Sequence, residues 1–322
     1  MPEPWPPPPA DNRLSTRLRP RVRRLIARRA ALKSAAIDSL ADVLSDGPPG
    51  IVVTAQLWAM EHLAEVPHDG WAVIGQYHSS FEAAAAGRDL PRALALYADV
   101  DLFTLLTTED AAQFRRAGLN NTQWLPNPLA FWPDQPVDPA RRDAEVITYL
   151  GRLSAEKGPR FLVEAWGAIA ARHPTWRLRL VGSGPEEAAV RRQAAALPSG
   201  SDRVDFVEPV SDAESELARA GILALPSLTE GLPLALAEAM ALGLPCVATD
   251  CSAGVRLLTR DGTAARVVPR ADAEALASAL SGLMSHADDR TTLGAMARDA
   301  VSPYRAEVVI DLWERMIERV LR

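Results

Sequence analysis

Lysine is nearly absent from these 322 residues: of 35 basic side chains only Lys33 and Lys157 are lysine, the others all being arginine. Such a bias points to a GC-rich genome, and it gives weight to any motif that has kept its lysine. Cysteine is equally scarce. Cys246 and Cys251 lie close together, the first in an apolar, β-branched run that reads as a strand, so a structural disulfide is not expected and a reducing compartment fits. No apolar run reaches the length of a membrane span, and the N-terminus lacks the apolar core of a signal peptide, so a cytoplasmic protein is expected. A net charge of -6 argues against a general nucleic-acid binder. Six of the first nine residues are proline, and residues 1–12 read as an extended or disordered tail.

What is present is ordinary globular composition, 48% hydrophobic and 24% charged, in a chain long enough for two domains. From Val146 onward short β-branched runs alternate with amphipathic stretches. Strands are predicted at 146–150, 177–181, 204–207, 222–225, 246–249 and 266–268, with helices over 160–172 and 186–197. The first half repeats the theme, with strands predicted at 51–55, 71–76, 101–106 and 123–125. Strands alternating with helices predict parallel, doubly wound α/β sheets covered on both faces, with ligands beyond the carboxyl ends of the strands. Pro126 to Pro139 holds five prolines and has the composition of a linker. The expected organisation is a tail over 1–12, a partial N-terminal domain over 13–130, a linker over 131–143 and a second domain over 144–302. A C-terminal helix over 303–322 is expected to return toward the first domain.

The chemistry concentrates between Pro226 and Asp250. Glu230 stands at a loop end and Glu238 eight residues later, on the helix that follows. Pro233 in the first helical turn, open amides at Gly231 and Leu232, and a stop at Gly243 to Pro245 outline a helix aimed N-terminus first at a cleft, an arrangement that attracts anions. Two carboxylates flanking a bound phosphate suit the hydroxyl, phosphate, hydroxyl layout of a nucleotide sugar. Gly151-Arg152 and Glu156-Lys157-Gly158 follow the strand at 146–150. An arginine fork and a mobile lysine charge there suit a diphosphate, although a lone pair of this kind also reads as solvated surface cations. Val181-Gly182-Ser183-Gly184-Pro185 ends the next strand, where its glycines admit either a ligand or neighbouring backbone.

In this order, Gly-Arg with Glu-Lys-Gly, Val-Gly-x-Gly-Pro, and Glu-Gly-x-Pro with a second Glu eight residues past the first, the chain resembles the retaining family 4 glycosyltransferases of GT-B fold. The resemblance covers residues 146 to about 300 well and 51 to 130 loosely. It implies two Rossmann-like domains facing a cleft, the N-terminal one apparently shortened, and a hexose transferred from a nucleoside diphosphate sugar to a hydroxyl acceptor. It further implies that Arg152 and Lys157 hold the donor diphosphate, that Glu238 bonds the ribose, and that Glu230 meets the transferred sugar with the backbone of Gly231 and Leu232. Gly151, Gly182, Gly184 and Pro233 complete the implied donor-binding set. His78, after a strand end in Gln76-Tyr77-His78-Ser79-Ser80, falls where the family often carries an acceptor-side histidine; a satisfied core or capping histidine is the alternative. No cofactor and no metal are implied.

Asp99-Val100-Asp101 looks like a metal-binding Asp-x-Asp but lacks a partnering carboxylate cluster, so turn and capping roles are expected. Pro126-Asn127-Pro128 resembles the family's Pro-Asn-Gly and is expected to set hinge geometry. Glu208 stands where the family commonly has glycine near the nucleotide base, which leaves the base open. Arg13 to Lys33 carries nine basic residues and no acid, with Leu14, Leu18, Val22 and Leu25 at helical spacing. Such a helix either lies on an anionic membrane surface, which would make the protein peripheral at the inner membrane, or packs its apolar stripe on the first domain. Two further functions fit the same residues: a nucleotide-sugar binding or partner subunit without turnover, and an epimerase acting on the nucleotide sugar.

Overall fold

The alternation of β-branched runs and amphipathic stretches becomes two parallel sheets in the computed structural model, which describes residues 20–139, 141 and 145–321. The proline-rich segment 1–12 and the basic positions from Arg13 to Arg19 lie outside the described residues. The first half runs α1 (Pro20–Asp46), β1 (Ile51–Thr54), α2 (Leu57–Leu63), β2 (Ala72–Tyr77), α3 (Phe81–Ala86), α4 (Asp89–Leu96), β3 (Leu102–Leu105), α5 (Thr108–Arg116) and β4 (Thr122–Trp124). Its strands lie side by side in chain order, all parallel. Helix α1 continues well past Lys33, the end of the basic stretch. Arg24, Arg28 and Arg29 are exposed on it, and Lys33 pairs with Glu65 at 2.6 Å. No helix among the described residues is long and apolar enough to cross a membrane.

The second half runs β5 (Val146–Leu150), α6 (Pro159–Ile169), β6 (Arg177–Val181), α7 (Glu187–Ala195), β7 (Val204–Val207), α8 (Ala213–Leu217), β8 (Ile222–Leu225), α9 (Leu234–Ala241), β9 (Cys246–Thr249), α10 (Ala253–Thr259), β10 (Arg266–Val268), α11 (Ala273–Ser285), α12 (Ala287–Val301) and α13 (Ala306–Val320). Its six parallel strands have the order β10-β9-β8-β5-β6-β7. The chain builds outward from β5 through β6 to β7, then returns to the other side of β5 with β8. Between β5 and β8 the connections therefore leave the sheet in opposite directions, which opens a crevice at the strands' carboxyl ends. Strands β8 and β9 are buried along their whole length, as unbroken apolar runs in a sheet covered on both faces should be.

Helix starts are fixed by short polar side chains. The Ser80, Thr107, Asp212, Ser252 and Asp272 side chains each accept from a backbone N–H three residues on. Asp110 does more: buried, it accepts from Thr107 Oγ1 at 2.6 Å and from the Phe81 N–H at 2.7 Å, tying the starts of α3 and α5 together. Asp101 accepts from the Val73 N–H at 2.7 Å, so this carboxylate of the Asp-x-Asp sequence serves the edge of β2.

Two elements join the halves. The proline-rich segment after β4 has no regular structure but is fastened to the second half: Val137 N–H bonds the Leu242 carbonyl at 2.9 Å and the Arg298 guanidinium sits over the Trp132 ring at 4.3 Å. Helix α13 comes after the second sheet is complete and lays Val309 and Met316 against Leu125 and Leu102 of the first half.

Glycines mark where loops touch backbone to backbone. A Cβ on Gly254, in α10, would lie 1.8 Å from the Gly231 carbonyl oxygen, whereas one on Gly282, in α11, would meet nothing within 4 Å. We predict that Gly254→Ala lowers unfolding free energy by about 3 kcal/mol, from forced overpacking against backbone. Gly282→Ala should raise it by roughly 0.5–1 kcal/mol, since alanine is the better residue inside a helix. Denaturant unfolding of the two variants decides it, and similar effects from both would contradict this account of the packing.

Candidate active site

The loop after β5 is shaped by Gly158. Its φ of +65° is left-handed, and a Cβ there would lie 2.1 Å from the Pro226 carbonyl oxygen, so only glycine lets this loop close onto the one after β8. Lys157, one position earlier, is thereby carried to Glu230. Its ammonium donates to both carboxylate oxygens, at 2.7 and 2.8 Å. Ser227 Oγ donates to Glu230 Oε1 at 2.7 Å. The carboxylate is almost fully buried, 7% exposed, while the lysine keeps 32% of its side chain open. Leu228 N–H bonds the Glu156 carbonyl at 2.8 Å, Thr249 Oγ1 donates to the Ser227 carbonyl, and Ser252 Oγ donates to the Gly231 carbonyl at 3.3 Å. The β8 loop is held from one side by the loop after β5 and from the other by the loop after β9.

Helix α9 opens into the same place. Pro233 is its N-cap residue, so the helix begins at Leu234 and not at Pro233 as the sequence pattern predicts; proline's fixed φ suits either position, and only the extended ψ of 102° tells them apart. The cap offers no side-chain acceptor, and the Gly231 and Leu232 amides donate to no acceptor among the described residues. Glu238 lies one turn in. It is partly buried with no side-chain partner among the described residues, and burial raises its pKa.

The Lys157–Glu230 pair and the start of α9 border a cleft of about 310 Å³ between the two halves, and Glu238 stands outside its lining. Gly151, Lys157, Glu230, Gly231, Leu232 and Pro233 form its second-half wall, and His78 with Leu106 and Asn127 faces them. The halves meet closely: a Cβ on Gly231 would lie 2.4 Å from the His78 carbonyl oxygen. His78 is exposed to solvent, yet the surrounding protein desolvates its ring enough to lower its pKa, which favours the neutral form. Tyr149, also lining the cleft, donates to the Arg152 carbonyl at 2.6 Å, and burial followed by the Glu230 charge raises its pKa, so it stays a donor.

Other predicted residues fall elsewhere. Arg152 is exposed on the loop, outside the cleft lining. Gly182 and Gly184 also stand outside it. A Cβ on Gly182, whose φ is +132°, would lie 2.0 Å from the Gly151 carbonyl oxygen, and one on Gly184 2.4 Å from that of Leu153. Of the two readings of these glycines, approach by neighbouring backbone is the one the geometry accounts for. Glu208 is exposed at the end of β7. Sequence reasoning gave no site role to Ser227 or Tyr149, and gave Asn127 only a hinge role. Ser227 had a signal, its place three residues before Glu230; Tyr149 is hidden as an apolar strand residue; Asn127 stood in the Pro126-Asn127-Pro128 motif but was read as hinge and not as cleft lining.

Residues 144–286 match the sequence pattern of the family described as glycosyl transferases group 1. The chain carries a group 1 glycosyltransferase domain. A glycosyltransferase of Haemophilus influenzae, itself uncharacterized, is 29% identical over 268 residues, 83% of this chain and 75% of its own length. A phosphatidyl-myo-inositol mannosyltransferase of Mycolicibacterium smegmatis is 32% identical over 199 residues, 60% of this chain but 48% of its own. The chain thus spans three quarters of the first relative and about half of the second. Among solved structures, Anabaena HepE, in complex with UDP and glucose, superposes with a TM-score of 0.77 at 17% identity, over 90% of this chain and 82% of that one. S. aureus TarM gives 0.77 at 14% identity, over 87% and 58%. These likenesses establish the GT-B fold for the glycosyltransferase, with its two parallel-sheet domains.

The lowered His78 pKa gives a signed prediction for the glycosyltransferase. Its folded pKa lies below the 6.5 of the unfolded chain, so the unfolded state takes up the proton first. The stability contribution of neutral His78 is complete above pH 6.5 and is lost as pH falls through that value toward the folded pKa. An NMR titration of His78 should show a midpoint below 6.5; a midpoint at or above 6.5 would contradict desolvation of the ring.

Proposed function

We propose that the chain is a retaining glycosyltransferase of family 4 that moves a hexose from a nucleoside diphosphate sugar to a hydroxyl acceptor without a resident metal. One observation carries the reading. The Lys157–Glu230 pair and the uncapped start of α9 share one cleft at the crevice between β5 and β8. A diphosphate placed at that helix start meets free amides and the positive end of the helix dipole, with the Lys157 charge beside it and Arg152 on the rim. Glu238, on the same helix but outside the cleft lining, has no side-chain partner among the described residues and serves as the acceptor for ribose hydroxyls of a donor that extends along α9. Glu230, oriented by Lys157 and Ser227, presents its carboxylate edge to the sugar.

In this reading the bond from the anomeric carbon to the diphosphate oxygen breaks as the acceptor oxygen bonds that carbon on the same face. The acceptor's proton passes to the departing phosphate oxygen. Positive charge grows on the sugar and negative charge on the diphosphate, so fixed charges and positioning do most of the catalytic work. Neutral His78 faces the reacting region from the opposite wall as a hydrogen-bonding group. HepE's complex with UDP and glucose supports uridine diphosphate sugars as the first donors to try.

Purified chain should turn over one member of a nucleotide-sugar panel in the presence of a chelator, and its glycoside should keep the donor's anomeric configuration. Glu238→Gln should raise the KM for that donor by roughly 10- to 100-fold, the range for losing a hydrogen bond to a charged acceptor, with little change in kcat. An inverted product, or an unchanged donor KM in this variant, would contradict the assignment.

A further inference from the structure

Helix α1 is fastened to the first half along only part of its length. Its C-terminal part lays Ile37, Leu40 and Leu44 on the first-half core, and the Lys33–Glu65 pair holds the middle. From Arg24 to Ala36 the described side chains are all exposed. A second apolar stripe runs along the solvent side. Leu25, Leu32 and Val43 are 58%, 61% and 64% exposed, and with Ala36 they follow the seven- and four-residue steps of a coiled-coil seam. Leu44 is one residue from Val43, a step of about 100° round the helix, so the packed face and the exposed stripe are separate. One flank of the stripe is charged: basic toward the N-terminus with Arg24 and Arg28, acidic toward the C-terminus with Asp42 and Asp46. None of these four makes an ion pair among the described residues. The charges also run against the helix dipole, since the first turn holds no acid and the last no base. The stability of the helix itself does not call for that order.

We propose that the exposed face of α1 is a self-association surface, and that its occupant is α1 of a second copy of this chain, running antiparallel. About a twofold axis near Ser34 and Ala35, Leu25 meets the partner's Val43 and Leu32 meets the partner's Ala36, so the stripe covers itself. Side chains near the axis are small, which lets the two helices approach closely. In an antiparallel pair each flank faces the same flank of the other helix. Arg24 then stands beside the partner's Asp46 and Arg28 beside the partner's Asp42, and the symmetry repeats both contacts. A parallel pair sets arginine against arginine. An anionic membrane surface attracts the Arg24–Arg28 end but repels the Asp42–Asp46 end, although the apolar stripe spans both. The antiparallel copy meets each end with the opposite sign. Helix α1 shares no residue with the cleft, so this self-association is independent of which donor the cleft takes.

Sedimentation equilibrium of the full chain tests this. Up to about 100 µM, the range of a small interface, it should show monomer and dimer in exchange, and added salt should shift the balance toward monomer. Two charge-reversed variants decide it: Arg24→Glu with Arg28→Glu, and Asp42→Arg with Asp46→Arg. Each turns all four cross-helix pairs into like-charge contacts and should raise the dimer dissociation constant by about tenfold or more. An equimolar mixture of the two variants restores every pair with its signs exchanged, and should dimerise as the parent does. All four positions are exposed and each reversal suits the helix dipole, so neither variant threatens the helix. A parent chain that stays monomeric at that concentration, reversals without effect, or a mixture no more dimeric than its components would overturn the proposal. So would a monomeric parent that sediments with phosphatidylserine-containing vesicles and loses them on Arg24→Glu with Arg28→Glu, which would assign α1 to a membrane surface.

Discussion

The ion pair between Lys157 and Glu230 is the constraint on which the cleft depends. A carboxylate 7% exposed cannot remain charged among apolar neighbours without partners. Here it has an ammonium on both oxygens and the Ser227 hydroxyl on one. Those partners come from different loops, so satisfying the charge fixes the loop after β5 against the loop after β8. Thr249 and Ser252 extend the connection to the loop after β9. Three adjacent strands thus deliver their carboxyl-end loops into one network at the crevice the strand order creates. The helix start that follows Glu230 is positioned by the same contacts.

Close backbone approach makes the network possible. Gly158 against Pro226, Gly182 against Gly151 and Gly254 against Gly231 are all places where a side chain would displace a loop. Contacts between the two halves are of another kind. Arg256 reaches Glu109 at 3.2 Å and Arg270 reaches Glu82 at 2.9 Å, and all four side chains are substantially solvated. Exposed pairs of this sort contribute only ~0–1 kcal/mol each and are screened by salt. The second-half wall of the cleft is therefore stiff within one sheet. Its relation to the opposite wall is set by weaker surface charges, by the apolar seat of α13 and by the contact of His78 with Gly231.

Much of this was legible in the sequence. All six strands of the second sheet lie at their predicted positions, because β-branched runs bounded by glycine and proline leave little freedom in a buried parallel sheet. The first-half strands shift by a residue or so at their ends, where a short strand has no apolar pattern to fix its limit. The glycosyltransferase signature brought Lys157, Glu230 and the α9 start into view, yet it assigned lysine and glutamate to separate parts of a ligand. That they bond each other across 73 positions follows only from the order β8-β5, which no local pattern encodes. Tyr149 was missed, and Asn127 read only as hinge, for a related reason: their places come from which face of the cleft they reach, and residue type alone does not give that. Gly254 shows the same gap, since a glycine demanded by another loop's carbonyl looks like any other glycine within a helix.

The central claim, that buried Glu230 and Lys157 act as one unit holding the second-half wall of the cleft, is tested most directly by a double-mutant cycle on folding stability. Lys157→Met, Glu230→Gln and the double variant would be unfolded in denaturant beside the parent chain. Lys157→Met strands a buried charge and should cost about 3 kcal/mol, near the low end for breaking a buried pair because the lysine stays partly solvated. Glu230→Gln should cost less, and the double variant should fall short of the sum by roughly 1–2 kcal/mol. Losses that add to within ~0.5 kcal/mol would mean that the two residues do not depend on each other, and would contradict the account.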